Sequence, residues 1–404
     1  MNQATRDYIR SHANDDARQL ALHGTKDPEV DLPFALEQIA GRQKARTKIP
    51  SWAAIDGVIY PPHLSMEQCS SEQTAQYKAS VSSPMHQRIL VDLTGGFGVD
   101  FSFMAQNFDR AVYVEHEPSL CAISSENFKT LGLEQAEVLC ADGVDYLHQL
   151  EHADLIYIDP ARRNEHGGRT YDISDCTPNV LELVDELTRK ADYVMLKLSP
   201  MLDWRKAVAD IGCVCEVHIV SVDNECKELL VIMNSELIIN REAKPIKVIC
   251  VNLMSTGGRD VFCFPSIAET EPNHINNNSL FTNHYLYEPN ASIMKAGCFD
   301  QLAERFAIQQ LDRNSHLFVS ETSVKDFPGR QFVIEKTTSM NKRELKEALQ
   351  GIKRANIAVR NFPLSAADLR KRLKLQDGGD IYIFATTVAG AGHQLFICRK
   401  KVKS

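Results

Sequence analysis

A short apolar run that ends in a glycine-rich turn constrains this chain more than any other feature. The run is residues 89–91, and the stretch that follows, residues 92–98, has three glycines in four positions. Short apolar runs of this kind are typical of buried parallel strands, and glycines let a backbone turn sharply and approach a ligand closely. Because a helical pattern follows over residues 101–108, we interpret the stretch as the start of a βαβ nucleotide site. The alternative is a tight turn without a ligand.

Acidic side chains follow three further predicted strands at the points where those strands end. The strands and their acids are residues 111–114 with Glu115, 137–140 with Asp142, and 155–158 with Asp159. Because the carboxyl ends of parallel strands meet at one edge of a sheet, we expect these acids to lie close together. Unrelated loop acids would give the same pattern. Glu115 can accept hydrogen bonds from both hydroxyls of a ribose, and such charge-assisted bonds contribute about 1.5–3 kcal/mol.

The order of these elements resembles that of the class I S-adenosylmethionine-dependent methyltransferases over residues 86–240. In that family the first loop reads acid-x-Gly-x-Gly-x-Gly, whereas this chain has Thr94 in place of the first glycine. The resemblance implies a Rossmann-like seven-stranded methyltransferase sheet. Apolar residues at helical spacing over residues 1–50 predict an N-terminal helical region, and short strands and helices after residue 320 predict a small α+β C-terminal domain, so the predicted fold class is α/β. Two late predicted strands, 215–222 and 228–233, fit the antiparallel end of such a sheet.

The resemblance also implies a cofactor, S-adenosyl-L-methionine, and roles for the residues at this edge of the sheet. Asp92 and the glycine loop would hold the methionine part, Glu115 the ribose, and Asp142 the adenine amino group. The full set implied to bind the cofactor is Asp92, Thr94, Gly96, Phe97, Gly98, Glu115, His116, Asp142 and Gly143. The candidate catalytic residues are Asp159, Pro160, Arg162 and Lys197. Lys197 follows the fifth predicted strand, where it either faces Asp159 or the substrate, or pairs with an acid for stability.

A helix is predicted over residues 65–80, directly before the first strand. In class I methyltransferases such a helix often closes over the methionine end of the cofactor. Gln68, Ser71 and Lys78 could therefore line the site, although an ordinary packing helix fits the same pattern.

A dinucleotide dehydrogenase is the main alternative for these strands. Its glycine motif requires a third glycine, but Asp100 and Phe101 occupy that region here. The turn 159–162, which reads Asp-Pro-Ala-Arg, also has no role in hydride transfer. A methyltransferase is therefore the favoured interpretation.

The same turn restricts the methyl acceptor. Methylases of exocyclic base amines usually carry Pro-Pro and an aromatic residue after the acid, but Ala161 and Arg162 stand at the last two positions here. Cys176 is the nearest candidate for the cysteine nucleophile of pyrimidine C5 methylation, and its surroundings match no such motif. We therefore hypothesise a nitrogen or oxygen acceptor, with Asp159 as hydrogen-bond acceptor or base.

Charge is unevenly distributed along the 404 residues. The chain has a net charge of -8, but residues 320–404 contain 17 Lys or Arg and 8 Asp or Glu, a net charge of +9. Residues 1–319 therefore carry -17, and this asymmetry indicates an anion-binding appendage. A second basic run, residues 41–48, is either a solvated helix face or a contact for RNA phosphates.

Cysteine usage and hydropathy predict a cytoplasmic protein with no membrane partner. The eleven cysteines form no Cys-x-x-Cys pair, so we expect reduced thiols and no metal site. No apolar run approaches the length of a membrane span, and the first residues lack the apolar core of a signal peptide.

The C-terminal segment resembles the THUMP-like domain that accompanies a methyltransferase domain in uncharacterised bacterial proteins. The resemblance lies in the strand and helix order and in residues 360–365, Arg-Asn-Phe-Pro-Leu-Ser. THUMP domains of other RNA-modifying enzymes bind RNA, so RNA is the expected partner. The candidate substrate-binding residues are Arg163, Arg169, Arg360, Arg370 and Arg372.

Four regions follow from these patterns. They are an N-terminal helical region (1–85), a methyltransferase domain (86–240), a connecting α+β and possibly ferredoxin-like region (241–319), and a basic THUMP-like domain (320–404). The predicted function is methylation of rRNA or tRNA at a base nitrogen or ribose oxygen. A methyltransferase for a small molecule or protein and a non-catalytic RNA-binding protein are the alternatives, and the oligomeric state stays open.

Overall fold

A computed structural model describes residues 1–85, 87–162, 172–235, 245–266, 281 and 284–401. Two compact units divide the chain. The first contains residues 1–217 and 228–244, and the second contains residues 218–227 and 245–404.

Helices make up the described chain before the first strand. They are α1 (Gln3–Ser11), α2 (Ala17–His23), α3 (Leu32–Lys48), α4 (Pro50–Ala53), α5 (His63–Gln68) and α6 (Glu72–Ser82). Side chains of Asn2, Asp16, Asp31 and Ser71 accept hydrogen bonds from backbone N–H groups in the first turns that follow them. Such caps satisfy donors that have no partner within the helix, and they explain where these helices begin.

The prediction of one helix over residues 65–80 was wrong. The chain forms α5 and α6 instead, because Cys69 is extended with ψ of 159° and Ser71 caps the second helix. The break leaves Ser70 in the short segment between the two helices.

The first unit is built on a mostly parallel sheet. Its strands are β1 (Ile89–Asp92), β2 (Arg110–Glu115), β3 (Ala136–Cys140), β4 (Ala153–Ile158), β7 (Ala191–Leu198), β8 (Val214–Val222) and β9 (Glu225–Asn234), and the short strands β5 (Ala161–Arg162) and β6 (Cys176–Thr177) pair separately. The first seven of these strands belong to a nine-stranded sheet of order β11-β10-β8-β9-β7-β4-β1-β2-β3, whose remaining strands are β10 (Lys247–Leu253) and β11 (Arg259–Pro265). Strands β1, β2, β3, β4 and β7 run parallel, and β9 runs antiparallel to β7. The predicted Rossmann-like methyltransferase fold is confirmed, and its sheet is extended from the predicted seven strands to nine.

Helices connect these strands. They are α7 (Val99–Met104), which continues as a 3-10 turn (Ala105–Asn107), α8 (Pro118–Thr130), α9 (Gly143–Gln149), α10 (Val180–Lys190) and α11 (Trp204–Ile211), with a further 3-10 turn at Ile173–Asp175.

Buried aromatic rings support the glycine loop from below. Phe101, Tyr113 and Phe128 pack with ring centroids 4.9–5.6 Å apart. A Cβ atom on Gly95 would lie 2.2 Å from the Tyr113 ring, and one on Gly98 would lie 2.7 Å from Phe128. Gly98 also has a φ of +80°. These positions require glycine because the loop lies directly on the core.

The second unit contains a hairpin and a seven-stranded sheet. The hairpin is β10 (Lys247–Leu253) with β11 (Arg259–Pro265). The sheet order is β13-β14-β12-β15-β18-β17-β16, formed by β12 (Tyr285–Pro289), β13 (Gln309–Gln310), β14 (Phe318–Ser320), β15 (Gly329–Thr338), β16 (Asn356–Arg360), β17 (Ile381–Val388) and β18 (Gly392–Lys400). Its helices are α12 (Ala291–Ala296), α13 (Phe299–Phe306), α14 (Lys342–Ala348) and α15 (Ala366–Leu373). The predicted small α+β C-terminal domain is confirmed.

Among the helices in the described residues, none combines the length and the apolar character that crossing a bilayer requires.

Candidate functional site

Thr94 connects the turn after β1 to the turn after β4. Its backbone N–H donates to Asp92 Oδ1 at 2.9 Å, and its hydroxyl donates to the same oxygen at 3.4 Å. The hydroxyl oxygen also accepts from the Asp159 backbone N–H at 2.7 Å. A glycine, the residue of the family pattern at this position, has no side chain to make these contacts. The departure from the pattern therefore has a structural purpose.

Glu115 lies at the end of β2, where it shapes the glycine loop. One carboxylate oxygen accepts from the Gly96 N–H at 2.8 Å, and the other accepts from the Glu117 N–H at 2.9 Å. The carboxylate is buried, whereas the neighbouring His116 ring is 81% exposed with Nδ1 3.0 Å from Glu115 Oε1. His116 is thus available to a flat ligand above the sheet edge.

The turn after β3 lies directly against the glycine loop. A Cβ atom on Gly143 would be 2.1 Å from the Leu93 carbonyl oxygen, so this position requires glycine. Asp142 Oδ1 caps α9 by accepting from the N–H groups of Val144 and Asp145. Its second oxygen remains available to a ligand.

Phe97 points away from this edge. Its side chain is 4% exposed and packs edge-on against Trp52, with 5.1 Å between ring centroids. Only the backbone of Phe97 could therefore contact a cofactor. Its side chain packs the loop against the N-terminal helices.

Asp159 and Lys197 form an ion pair at the ends of β4 and β7. Lys197 Nζ donates to Asp159 Oδ2 at 2.6 Å and to Ser70 Oγ at 3.2 Å. The Asp159 side chain is 38% exposed, whereas that of Lys197 is 14% exposed. Asp159 therefore faces solvent, and the lysine holds it from the protein side. Of the positions predicted for Lys197, the structure has the one that faces Asp159, and the same contact pairs the lysine with an acid.

A second lysine, Lys78, lies fully buried beneath this pair. Its Nζ donates to both oxygens of Glu228 at 2.8 Å and lies 3.1 Å from Asp100 Oδ1. Asp100 Oδ2 accepts from Ser70 Oγ at 2.7 Å and from the Tyr157 hydroxyl at 2.8 Å. Removing charges from water costs several kcal/mol per ion, and such a cluster is stable only when every charge has a partner.

The charges in this cluster change one another's protonation. Burial raises the pKa of Asp100, but Lys78 and Lys197 outweigh burial and lower the pKa to about 2. Burial lowers the pKa of Lys197, but Asp159 and Asp100 overcome this and raise the pKa above its usual value. Lys197 is therefore an ammonium at neutral pH and cannot act as a base.

Four residues of this cluster were absent from the predicted site: Ser70, Asp100, Tyr157 and Glu228. A sequence signal existed for two of them, because Asp100 lies inside an otherwise apolar stretch and Glu228 directly precedes one. Charged side chains are rarely buried without a partner. Their partners, however, lie up to 150 positions away along the chain. Of the three residues proposed from the helix before β1, Lys78 is in the cluster, Ser71 caps α6, and Gln68 is exposed.

The remaining predicted residues of the first unit lie outside this charged cluster or outside the described part of the chain. Arg163 and Arg169 lie outside the described residues. Pro160 is buried next to Asp159. Arg162 belongs to β5, and its backbone lies opposite that of Cys176 in β6. The Cys176 side chain is 4% exposed.

The predicted RNA-binding residues of the second unit are partly engaged in ion pairs. Arg360 lies 3.0 Å from the buried carboxylate of Glu288, and Arg370 lies 2.5 Å from Asp377. Arg372 is exposed on α15.

Two of the four cations of the basic run 41–48 are neutralised by carboxylates within the fold. Arg42 pairs with Asp56 at 3.0 Å, and Lys44 pairs with Glu67 at 2.8 Å. Lys48 donates to the Met66 and Glu67 carbonyl oxygens. These contacts favour a helix face that packs on its neighbours over an RNA-binding face.

A crystal structure of a "putative methyltransferase" from Porphyromonas gingivalis W83 is similar to this chain over nearly its full length. The two are 32% identical, the similarity covers 99% of this chain and 98% of that chain, and the TM-score is 0.87. A ferredoxin-like domain model matches residues 285–328, and a THUMP domain-like model matches residues 329–400. A comparison with curated proteins gives no match.

Two smaller structures align with about two fifths of this chain. A "putative rRNA-methylase" from Clostridium thermocellum is 12% identical over 40% of this chain and 96% of that chain, with a TM-score of 0.31. A "putative methyltransferase" from Streptococcus mutans, in complex with SAH, is 11% identical over 39% of this chain and 96% of that chain, with a TM-score of 0.30. At TM-scores this low neither similarity informs the function of this chain.

The buried lysine provides a first testable prediction. Lys78→Met leaves two buried carboxylates without their cation, so we expect the free energy of unfolding to fall by about 3–5 kcal/mol in urea titrations. Lys129→Met is the matched control, because Lys129 pairs with Glu126 on the surface and should cost about 0–1 kcal/mol. Adding Glu228→Gln to Lys78→Met should recover part of the loss. Equal costs for the two lysines would contradict the buried cluster.

Asp92 provides a second prediction, in the dependence of stability on pH. Burial raises the pKa of Asp92 well above its usual value, and Asp100, Asp159 and Glu115 add to this effect. The folded state therefore binds a proton more readily than the unfolded state, and Asp92 destabilises the fold increasingly as pH rises above the unfolded pKa. We expect Asp92→Asn to melt at a higher temperature than the wild type at pH 8 and to lose this advantage near pH 4. A pH-independent difference in melting temperature would contradict the assignment.

Proposed function

Because this chain belongs to the same family as the Porphyromonas gingivalis protein, we propose that it transfers a methyl group from S-adenosyl-L-methionine to RNA. The acceptor in this proposal is a base nitrogen or a ribose oxygen of rRNA or tRNA. The observation that carries the proposal is the position of Asp159. Its carboxylate is held by Lys197 at the sheet edge that also presents Glu115 and the glycine loop.

The residues at this edge fit the cofactor. Each oxygen of Glu115 accepts one backbone hydrogen bond, and a carboxylate offers about four lone-pair sites, so both oxygens can still accept a ribose hydroxyl. Gly96 has a φ of +56°, and a Cβ atom there would meet only the Thr94 carbonyl oxygen at 3.8 Å. The space above the loop is therefore open. Asp92 and the loop would hold the methionine part, and His116 and Asp142 would face the adenine.

Bound S-adenosyl-L-methionine supplies a methyl group on a positively charged sulfur. The protein's own contribution is to place the acceptor in line with that group and to exclude water. Asp159 would accept a hydrogen bond from the N–H or O–H of the acceptor, which orients the lone pair of the attacking atom. The Lys197 ammonium holds Asp159 through one oxygen, and Asp100 and Ser70 hold the lysine in turn.

RNA as the acceptor is supported by the second unit. It contains the THUMP domain-like match over residues 329–400, and residues 320–404 carry a net charge of +9. A positively charged domain attracts the phosphate backbone regardless of sequence. An acceptor among small molecules or proteins would not need this charge.

Cofactor binding gives a third prediction. Glu115→Ala removes the proposed ribose acceptor, so calorimetry should show S-adenosyl-L-methionine bound about 30-fold more weakly, a loss of roughly 2 kcal/mol. Cys176→Ala is the control, because Cys176 lies in the separate pair of strands β5 and β6. The affinity of this variant for the cofactor should not change. An unchanged affinity in Glu115→Ala would refute the ribose assignment.

The reaction itself gives a fourth prediction. Labelled methyl from S-adenosyl-L-methionine should enter one size fraction of RNA extracted from cells that lack this gene. Asp159→Ala should abolish the label, and Cys176→Ala should retain it because no cysteine nucleophile is involved. Loss of label in Cys176→Ala would instead indicate methylation through a covalent cysteine intermediate. Absence of label with cofactor binding intact would indicate a small-molecule or protein acceptor.

A further inference from the structure

We infer that the second unit holds single-stranded RNA in a basic cleft formed by β15, β18 and the turn after α14. This inference rests on the proposed function and identifies the surface that would hold its substrate. The cleft has a volume of about 410 Å³. Its cations are Lys336, Lys353, Arg354 and Arg399, and its floor consists of Ile352, Ile381 and Ile397. None of these residues was predicted as an RNA contact.

The charge of this cleft is not neutralised within the described residues. Glu335 is the only acid in its lining, and it pairs with Arg399 at 2.5 Å. Within the described part of the chain, Lys336, Lys353 and Arg354 form no ion pair with a carboxylate. Three exposed positive charges therefore remain, and each can meet a phosphate without first breaking an internal contact.

Arg354 is also fixed in orientation. Its Nε donates to the Asp377 backbone carbonyl oxygen at 3.1 Å. A carbonyl oxygen holds the side chain without cancelling its charge, and the remaining N–H groups of the guanidinium stay available as a planar fork for phosphate. This contact lowers the conformational entropy lost on binding.

The predicted arginines contrast with this cleft. Arg360 contacts the buried carboxylate of Glu288, which Arg330 also contacts, and Arg370 contacts Asp377. Binding phosphate with Arg360 would leave a buried carboxylate with fewer partners, which is costly. Arg372 and several lysines of this unit are also exposed, but Lys336, Lys353 and Arg354 are gathered around one cleft, and we therefore place the RNA surface there.

The dimensions of the cleft select the form of RNA. Its volume of about 410 Å³ lies within the roughly 300–1,000 Å³ of small-ligand pockets, a space that suits one or two unpaired nucleotides better than a duplex. Ile352 and Ile381 are partly exposed and offer apolar contact to a base face, whereas Ile397 is buried. Aliphatic side chains place no hydrogen-bonding group there to select one base. We therefore assign the cleft to phosphates and unpaired bases, with little dependence on sequence.

The test compares two variants of the full chain with the same change in charge. One is Lys336→Gln/Lys353→Gln/Arg354→Gln. The control is Lys325→Gln/Lys371→Gln/Lys374→Gln, three exposed lysines of the same unit outside the cleft. The probe is a fluorescein-labelled single-stranded oligouridylate of about 12 nucleotides, measured by anisotropy over a salt series. Thermal melting verifies that both variants fold as the wild type does.

We expect the cleft variant to bind the oligouridylate about 100-fold more weakly near 0.1 M salt, with the slope of log affinity against log salt reduced by about 2. The control variant should keep most of the slope. Equal losses in both variants, or preferential binding of a duplex of the same length, would overturn the cleft. So would a wild type that binds no oligouridylate.

The methyl-transfer assay separates this inference from the function on which it rests. Label transfer to RNA that is equally efficient in the cleft and control variants would overturn the cleft and leave the RNA methyltransferase standing. Oligouridylate binding that depends on the cleft, without any label transfer to RNA, would overturn the methyltransferase proposal and leave the cleft standing.

Discussion

The buried contact of Lys78 with Glu228 and Asp100 is the interaction on which the site depends. It joins a helix from the N-terminal region, the helix that follows the glycine loop, and an antiparallel strand of the sheet. Because a buried charge is tolerated only with its partners in place, these three elements must pack together before any of the charges is stable. The N-terminal helices are therefore part of the site and not an independent addition.

Lys197 connects this buried cluster to the solvent-facing carboxylate, because it contacts Asp100 on one side and Asp159 on the other. Asp100 is 3.7 Å from Lys197, and Lys197 is 2.6 Å from Asp159. Thr94 adds a second connection, since its hydroxyl accepts from the backbone of Asp159 and donates to Asp92. The turn after β4 is thus held from both sides, by a lysine and by the loop after β1. A preorganised carboxylate at this position is what a methyl acceptor requires for orientation.

The second unit distributes its positive charge in two ways. Some arginines serve the fold, as Arg330 and Arg360 do around the buried Glu288. Others, such as Arg354, are oriented by a backbone carbonyl oxygen, which leaves their charge uncancelled. Net charge along the sequence cannot distinguish these roles, because the difference lies in whether a carboxylate from a distant strand is within reach.

Much of the first unit could be predicted from the sequence because its signals are local. Apolar runs ending in glycine or acid determined the strands from β1 to β4, and the spacing of helices between them determined a parallel sheet. The purpose of Thr94 and the partners of Lys78 were decided only by the tertiary structure. Ser70 and Glu228 lie far apart in the chain, and nothing within a few residues of either one indicates the lysine they share. A buried charge is stable only with a charged partner, and which charges are buried is decided by the assembled fold.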